Sequence, residues 1–223
     1  MENLISIIMP TFKRGAALGT AIESVIRQDL TGTGIDWELL VVGDCCPYLQ
    51  KTLPGFCYEY GDPRIRWINL EKNFKDSGIT PRNRGIALAR GALIAYLDDD
   101  NTWESNHLKS LYVALIEKQA AYAFSSFTMR VVQNPAEVYP IICRKPVKYR
   151  IDTSAILHRV ELISKYGPWT DKEKIAHDWE LVSRWSSEKL AATELLTVNY
   201  AADATRANAR LIYEHYGDQT PLK

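Results

Sequence analysis

The sequence predicts an α/β fold, a mostly parallel central sheet flanked by helices, on three observations. Short apolar, β-branched runs recur at the length of strands buried on both faces. Between several of them lie segments whose apolar residues repeat at helical spacing. Polar clusters follow three of the runs, at the carboxyl ends where open α/β sheets gather their ligands.

Leu4–Met9 (LISIIM) reads as the first buried strand, ended by Pro10. Leu18, Ile22, Val25 and Ile26 then place one apolar face on a helix from Gly15 to Arg27. Trp37–Val42 (WELLVV) is a second strand stopped by Gly43, and Arg64–Leu70 (RIRWINL) is a third. Helical spacing returns over Arg82–Arg90, and Ala92–Leu97 (ALIAYL) forms a fourth strand running straight into Asp98, Asp99 and Asp100. Strand, helix, strand, strand, helix, strand implies parallel crossovers. Thr11, Asp44 and the aspartate triplet then fall at the ends of the first, second and fourth strands.

The second half is less regular. Ala121–Val132 reads as one or two strands, and Asn134-Pro135 and Tyr139-Pro140 as turns. Thr153–Leu157 is expected as a short strand, Val160–Tyr166 as a helix closed by Gly167-Pro168, and Asp178–Trp185 as a helix with Asp178 at its N-cap. Leu195–Tyr200 is a last strand and Arg206–Tyr216 a terminal helix. No repeat or linker interrupts the 223 residues, so one domain spanning 1–223 is expected. Its two parts would be residues 1–103 and 104–223.

Composition narrows the function. Lys plus Arg and Asp plus Glu both number 27, so the basic excess that phosphate-backbone binding draws on is missing and a nucleic-acid partner is not expected. No apolar run reaches the roughly 20 residues of a membrane span, and the N-terminus lacks the pattern of a signal peptide. Peripheral membrane contact stays open. Cys45, Cys46, Cys57 and Cys143 have neither disulfide-framework nor zinc spacing and read as reduced thiols of a cytoplasmic protein.

The aspartate triplet carries the sharpest chemistry. Three adjacent carboxylates repel one another unless a cation or solvent relieves them, and hard oxygen donors suit Mg²⁺ or Mn²⁺ held jointly with a substrate's phosphates. The competing role is a helix start over Asn101–Glu104, where acids favour the first turn. Pro81-Arg82-Asn83-Arg84-Gly85 offers anion contacts at a helix start, and the carboxylate of Asp178 suits a general base. Trp169, Trp179 and Trp185 fit either sugar stacking or the core.

Taken together, ISIIMPTFKR, WELLVVGDC, PRNRGIALARGALIAYLDDDNTW, TSAILHRVELISKYGPW and HDWELVSRW resemble, in the same order, the family 2 glycosyltransferases of the GT-A fold. The resemblance implies a Rossmann-like GT-A domain with a donor part in 1–103 and an acceptor-side part in 104–223. It also implies a nucleotide-diphospho-sugar donor, a saccharide or glycolipid acceptor, and a divalent cation, Mn²⁺ or Mg²⁺, bound through a D-x-D motif. Asp98 and Asp100 fill its two acidic positions and would hold the metal. Pro10, Thr11, Asp44, Arg82, Asp98 and Asp99 match donor-contacting positions. Asp178 matches the catalytic base of inverting members. Three departures stand out: Gly43-Asp44-Cys45-Cys46-Pro47 after the second strand, Asn101 where many members have Asp, and His177 where many have Glu. A nucleotidyltransferase and a non-catalytic nucleotide-sugar-binding module are the rival readings.

Overall fold

Leu4–Thr11 (β1) is buried at all eight positions, as its unbroken apolar run requires, and lies inside the sheet. A computed structural model describes residues 3–49, 61–173 and 176–203. Within these, nine strands form one mixed sheet. Asp36–Gly43 (β2) and Leu93–Tyr96 (β4) flank β1 in parallel, and Ile65–Asn69 (β3) continues beyond β2 in parallel. Gly15–Ile26 (α1) and Ile79–Leu88 (α2) are helices of this half.

The chain steps outward from β1 through β2 to β3, then returns to the other side of β1 as β4. Strand order therefore reverses at β1, and the crevice at such a switch point opens at the carboxyl ends of β1 and β4. Pro10 does not end β1. The strand continues to Thr11, with Pro10 opposite Val42 in the parallel register.

Helix α2 starts three residues before the sequence pattern suggests, because Gly78 takes a left-handed turn at φ 81° and launches it early. A β-carbon there would lie 2.9 Å from an Arg82 nitrogen and 3.2 Å from Pro10. Gly85 lets the helix lie directly on β1, where a β-carbon would come within 2.5 Å of Ile8.

Beyond β4 the sheet turns mixed. Ile156–Arg159 (β8) pairs antiparallel with β4 and with Tyr122–Val131 (β6). Leu190–Ala202 (β9) runs parallel to β6, and Thr102–Trp103 (β5) caps that edge. Glu194, at φ 57°, falls where the β6–β9 register shifts. His107–Glu117 (α3) packs against β9 and β6.

Several expectations for the second half need correction. Asn134–Ile141 (β7) is a strand, so the two X-Pro pairs are not turns; among the described residues β7 pairs with β6 alone, and edge strands tolerate proline. Thr153–Ala155 is a turn of 3₁₀ helix ahead of β8, because Asp152 accepts the Ser154 amide at 2.8 Å and bends the chain. The segment after the aspartate triplet enters β5, and the helix that follows is capped at Asn106, so the triplet is no helix start. Glu161–Tyr166 (α4) matches its expected range closely, whereas His177–Ser183 (α5) is capped by Ala176, which moves Asp178 into the first turn. The expected helix over Arg206–Tyr216 and Cys57 lie outside the described residues.

At the end of the sheet remote from the crevice, Glu38 ties three segments together. Its carboxylate, 1% exposed, accepts from Ser6 Oγ at 2.7 Å, the Arg90 amide at 2.8 Å and Arg66 at 3.0 Å, and pairs with the Arg90 guanidinium at 2.7 Å. Burial opposes its ionisation, yet these bonds outweigh it and hold the carboxyl below the usual carboxylate range. Removing one member of a buried charge network typically costs about 3–5 kcal/mol. Both arginines keep solvent contact, so Glu38→Ala should sit near 3 kcal/mol, about the low end of that range. Urea denaturation reads this directly. A loss under about 1 kcal/mol would mean the arginines resolvate freely and the network contributes little.

Candidate active site

The parallel register carries the site. Leu97 donates its amide to the Ile8 carbonyl at 3.1 Å, which sets Asp98 beside Pro10 at the mouth of the crevice. A cavity of about 560 Å³ opens there, lined among others by Pro10, Thr11, Asp44, Arg82 and all three aspartates. All six expected donor residues and Asp100, the second residue expected to hold the metal, thus line one cavity. Phe12, Arg14, Ser77, Gly78, Pro81, Tyr200, Ala201 and Asp203 also line it. Tyr200, Ala201 and Asp203 come from β9 and its exit, so both halves of the chain build the cavity.

Each aspartate of the triplet is placed differently. Asp98 takes a 2.5 Å bond from Arg82. Asp100 takes a 2.6 Å bond from Arg14, whose other nitrogen reaches Asp99 at 3.1 Å. Asp99 turns inward, accepts the Phe12 amide at 3.3 Å, and is 8% exposed. Burial pushes its carboxyl up to about 6; the Thr11 hydroxyl and Arg14 oppose the shift, while Asp100 and Asp98 add to it.

Arg82 is itself held from three sides. It donates to Asp98 and to the Ser77 carbonyl (2.8 Å), and its guanidinium lies 5.0 Å from the Trp169 ring. Trp169 is fixed by a reciprocal pair of 3.0 Å bonds with the amide side chain of Asn83. Trp169 and Trp185 are therefore core residues, 2% and 0% exposed, and Trp179 packs against the core with part of its surface free. Of the Pro81–Gly85 segment, Pro81 and Arg82 reach the cavity.

Asp44 has a second occupation. Its carboxylate accepts the Phe74 and Lys75 amides at 2.9 and 3.2 Å, anchoring the loop that leads into α2, and its own amide bonds the Thr11 carbonyl. The unusual Cys45-Cys46 turn is pinned by Asn69, which accepts the Cys46 amide at 2.8 Å and donates to its carbonyl at 3.1 Å. Cys45, Cys46 and Cys143 are free thiols.

Asp178 does not line this cavity but lies within electrostatic reach of it. Burial pushes its carboxyl up to about 7, with the negative Asp98 adding and the Trp179 amide and Arg82 opposing. Asp152 is drawn into the same group: burial raises it well above the ordinary range, and Asp98 and Asp178 raise it further. Tyr200 is also held protonated, by burial first and then by the carboxylates around it. Sequence reasoning did not single out Asp152, Arg14 or Tyr200. Each sits in a stretch whose local pattern suits an ordinary surface or strand residue, and the tertiary pairing alone brings them to the acidic centre.

The donor set fits a hard divalent cation. Among the described lining residues, five carboxylates (Asp44, Asp98, Asp99, Asp100 and Asp203) face two guanidiniums (Arg14 and Arg82), an excess that would repel a diphosphate unless a cation intervened. Among the described residues no group of three or more His, Cys, Asp and Glu side chains is arranged to hold a metal alone. An ion such as Mg²⁺ typically takes one or two protein carboxylates and completes its shell with substrate phosphates and water. No helix among the described residues is long and apolar enough to cross a membrane.

Comparison with known proteins gives this geometry its context. The model of glycosyl transferase family 2 matches residues 6–160. The protein named a colanic acid biosynthesis glycosyl transferase, WcaA, of Escherichia coli (strain K12) is 30% identical over 223 aligned positions, covering 90% of this chain and 75% of that one. The UDP-Glc:alpha-D-GlcNAc-diphosphoundecaprenol beta-1,3-glucosyltransferase WfgD of Escherichia coli is 25% identical over 66% of this chain, which spans 54% of that relative. Among solved structures, S. aureus TarS 1-349 in complex with UDP-GlcNAc superposes with a TM-score of 0.72 at 17% identity, covering 96% of this chain and 64% of TarS 1-349. The mannosyltransferase PcManGT from Pyrobaculum calidifontis, in complex with GDP-Man and Mn²⁺, also gives 0.72, at 12% identity over the whole of this chain and 66% of its own. These two likenesses establish the fold, and the family match across more than half of the sequence decides the membership: the chain belongs to glycosyl transferase family 2.

Proposed function

We propose that this chain transfers a sugar from a nucleoside-diphospho-sugar to an acceptor hydroxyl by a single displacement with inversion. The observation that carries the reading is the gathering of Thr11, Asp44, Arg82 and the Asp98–Asp100 triplet around one cavity at the strand-order switch of the sheet. Residues 1–103 supply most of the donor wall, and residues 104–223 supply Asp178 and the acceptor side. The neighbours holding UDP-GlcNAc and GDP-Man with Mn²⁺ make uridine and guanosine donors the first to test.

Pro10, Thr11 and Asp44 form the wall that receives the nucleoside. Arg14 and Arg82 are the cations that meet the diphosphate, each kept in place by the aspartate it now pairs with. Asp98 and Asp100 would hold the divalent cation, Mn²⁺ or Mg²⁺. When bound, that ion neutralises charge building on the departing nucleoside diphosphate. Asp178 accepts the proton of the acceptor hydroxyl, freeing its oxygen to attack the anomeric carbon on the face opposite the diphosphate. A carboxyl raised toward neutrality suits this role, since a general base works best when its pKa lies near the operating pH.

Calorimetry with UDP, GDP and their sugar conjugates, with and without Mn²⁺, tests the donor class. Binding that needs the cation is expected, and Asp100→Ala should weaken it by at least about tenfold, since even losing a residue that only orients a metal ligand typically costs about 10–100-fold. No nucleotide binding under either condition would refute the reading.

A further inference from the structure

We propose that Ser154, acting with Asn101, is the positioning residue that fixes the acidic turn Asp98–Asn101 in its metal-holding shape. The inference rests on the donor-site reading above and extends it to residues outside the cavity wall. It begins with strand register. Ala95 pairs with Leu157 across β4 and β8, and continuing that antiparallel register three residues sets Ser154 opposite Asp98, just where β4 gives way to the turn.

Ser154 is completely buried and is bonded through every polar atom it has. Its hydroxyl oxygen accepts the Asp98 amide at 3.2 Å and the Asn101 side-chain amide at 2.9 Å. Its carbonyl accepts the Trp103 indole N–H at 2.8 Å, and its own amide donates to Asp152 at 2.8 Å. Asn101, 1% exposed, carries the link onward: its side-chain oxygen accepts the Ala201 amide at 3.0 Å. One hydroxyl thus joins the turn bearing Asp98 and Asp100 to the 3₁₀ turn ahead of β8, and Asn101 joins the same turn to the stretch of β9 that lines the cavity. Within the turn the Asn101 amide donates to the Asp98 carbonyl at 3.0 Å; Arg82, Arg14 and the Phe12 amide hold its carboxylates, while Ser154 and β9 hold the Asp98 amide and the Asn101 side chain.

The chemical consequence follows from the carboxylates. Asp98, Asp99 and Asp100 repel one another, and an unbraced turn would relax by splaying them. Holding the Asp98 amide and the Asn101 side chain at one point keeps Asp98 and Asp100 on the same side of the turn without touching the metal. Residues that orient ligands in this way typically change metal affinity about 10–100-fold when removed. Asn101 supplies both a donor and an acceptor here, which a carboxylate at that position would not do in the same bonds.

The test uses the full chain and two readouts. Mn²⁺-dependent binding of UDP and GDP is measured by calorimetry, and amide hydrogen exchange over residues 97–103 is followed without ligand. Ser154→Ala should speed exchange at the turn and weaken Mn²⁺-dependent nucleotide binding about tenfold. Ser154→Thr, which keeps the hydroxyl, should restore most of the affinity. Faster exchange with unchanged affinity would make Ser154 a packing residue only and overturn the proposal. Should the alanine variant not fold, Asn101→Ala decides the matter: it leaves the Asp98–Ser154 bond and should weaken binding about threefold, a partial loss of the same effect. Unchanged affinity there overturns the proposal. Failure of the unaltered chain to bind either nucleotide with Mn²⁺ would instead remove the donor-site reading and this inference with it.

Discussion

Replacing Asp178 by Asn is expected to lower turnover by about 10³-fold, within the range a positioned general base supplies. Nucleoside diphosphate affinity should stay within about threefold, because an interaction used only in the transition state leaves ground-state binding alone. Asn preserves the shape of the side chain and its oxygen can still accept the Trp179 amide, now at 2.7 Å. What disappears is the negative charge and the ability to take a proton. Loss of that charge also removes repulsion from Asp98 and Asp152, so the variant should melt no lower than the parent. Thermal denaturation beside single-turnover kinetics separates the two effects. Turnover surviving within a few-fold would mean that another group accepts the proton.

The second large effect is the pH dependence of kcat/KM. Burial raises Asp178 to about 7, so below that pH the base is increasingly protonated and the rate should fall about tenfold per unit, reaching about a hundredfold loss at pH 5. A cation bound at Asp98 offsets the neighbouring negative charge, so saturating metal should move the acid limb to lower pH. Burial is the larger cause, so the limb should remain above the ordinary carboxylate value of about 3.9. A limb at that ordinary value, or one unchanged in Asp178→Asn, would assign it to a different group.

The same shift has a consequence for stability, with a definite sign. A carboxyl whose pKa is higher folded than unfolded contributes stability that is full below the unfolded value and lost as pH rises through about 7. His107 and His158 act in the opposite sense. Burial holds them at about 3 and about 4, so they favour the fold above 6.5 and cost stability as pH falls below it. The parent's pH profile mixes these terms. The difference between parent and Asp178→Asn isolates the carboxylate.

The donor half was legible because its signals are local. A run of β-branched residues buried on both faces can hardly be anything but an interior parallel strand, and the polar residue that follows must emerge at its carboxyl end. That reasoning puts Thr11, Asp44 and Asp98–Asp100 at strand ends that face one crevice, and all of them line the cavity there. The resemblance contributed Arg82 and Asp178, which spacing alone leaves ambiguous between helix start and site.

The second half resisted for an identifiable reason. Antiparallel and edge strands are defined by their partners, so Asn134-Pro135 and Tyr139-Pro140 look like turns until β7 is seen to occupy an edge. Ser154, Asp152, Arg14 and Tyr200 carry no local mark of function. They matter because the β4–β8 register sets Ser154 opposite Asp98, β9 returns beside the aspartate turn, and α1 starts where Arg14 can span Asp99 and Asp100. The sequence by itself determined which residues can bear charge at the ends of buried strands, since hydrophobic period and strand ends are properties of neighbours along the chain. Only the tertiary structure decided which of those charges are paired, buried and braced, since these depend on contacts between residues up to a hundred positions apart.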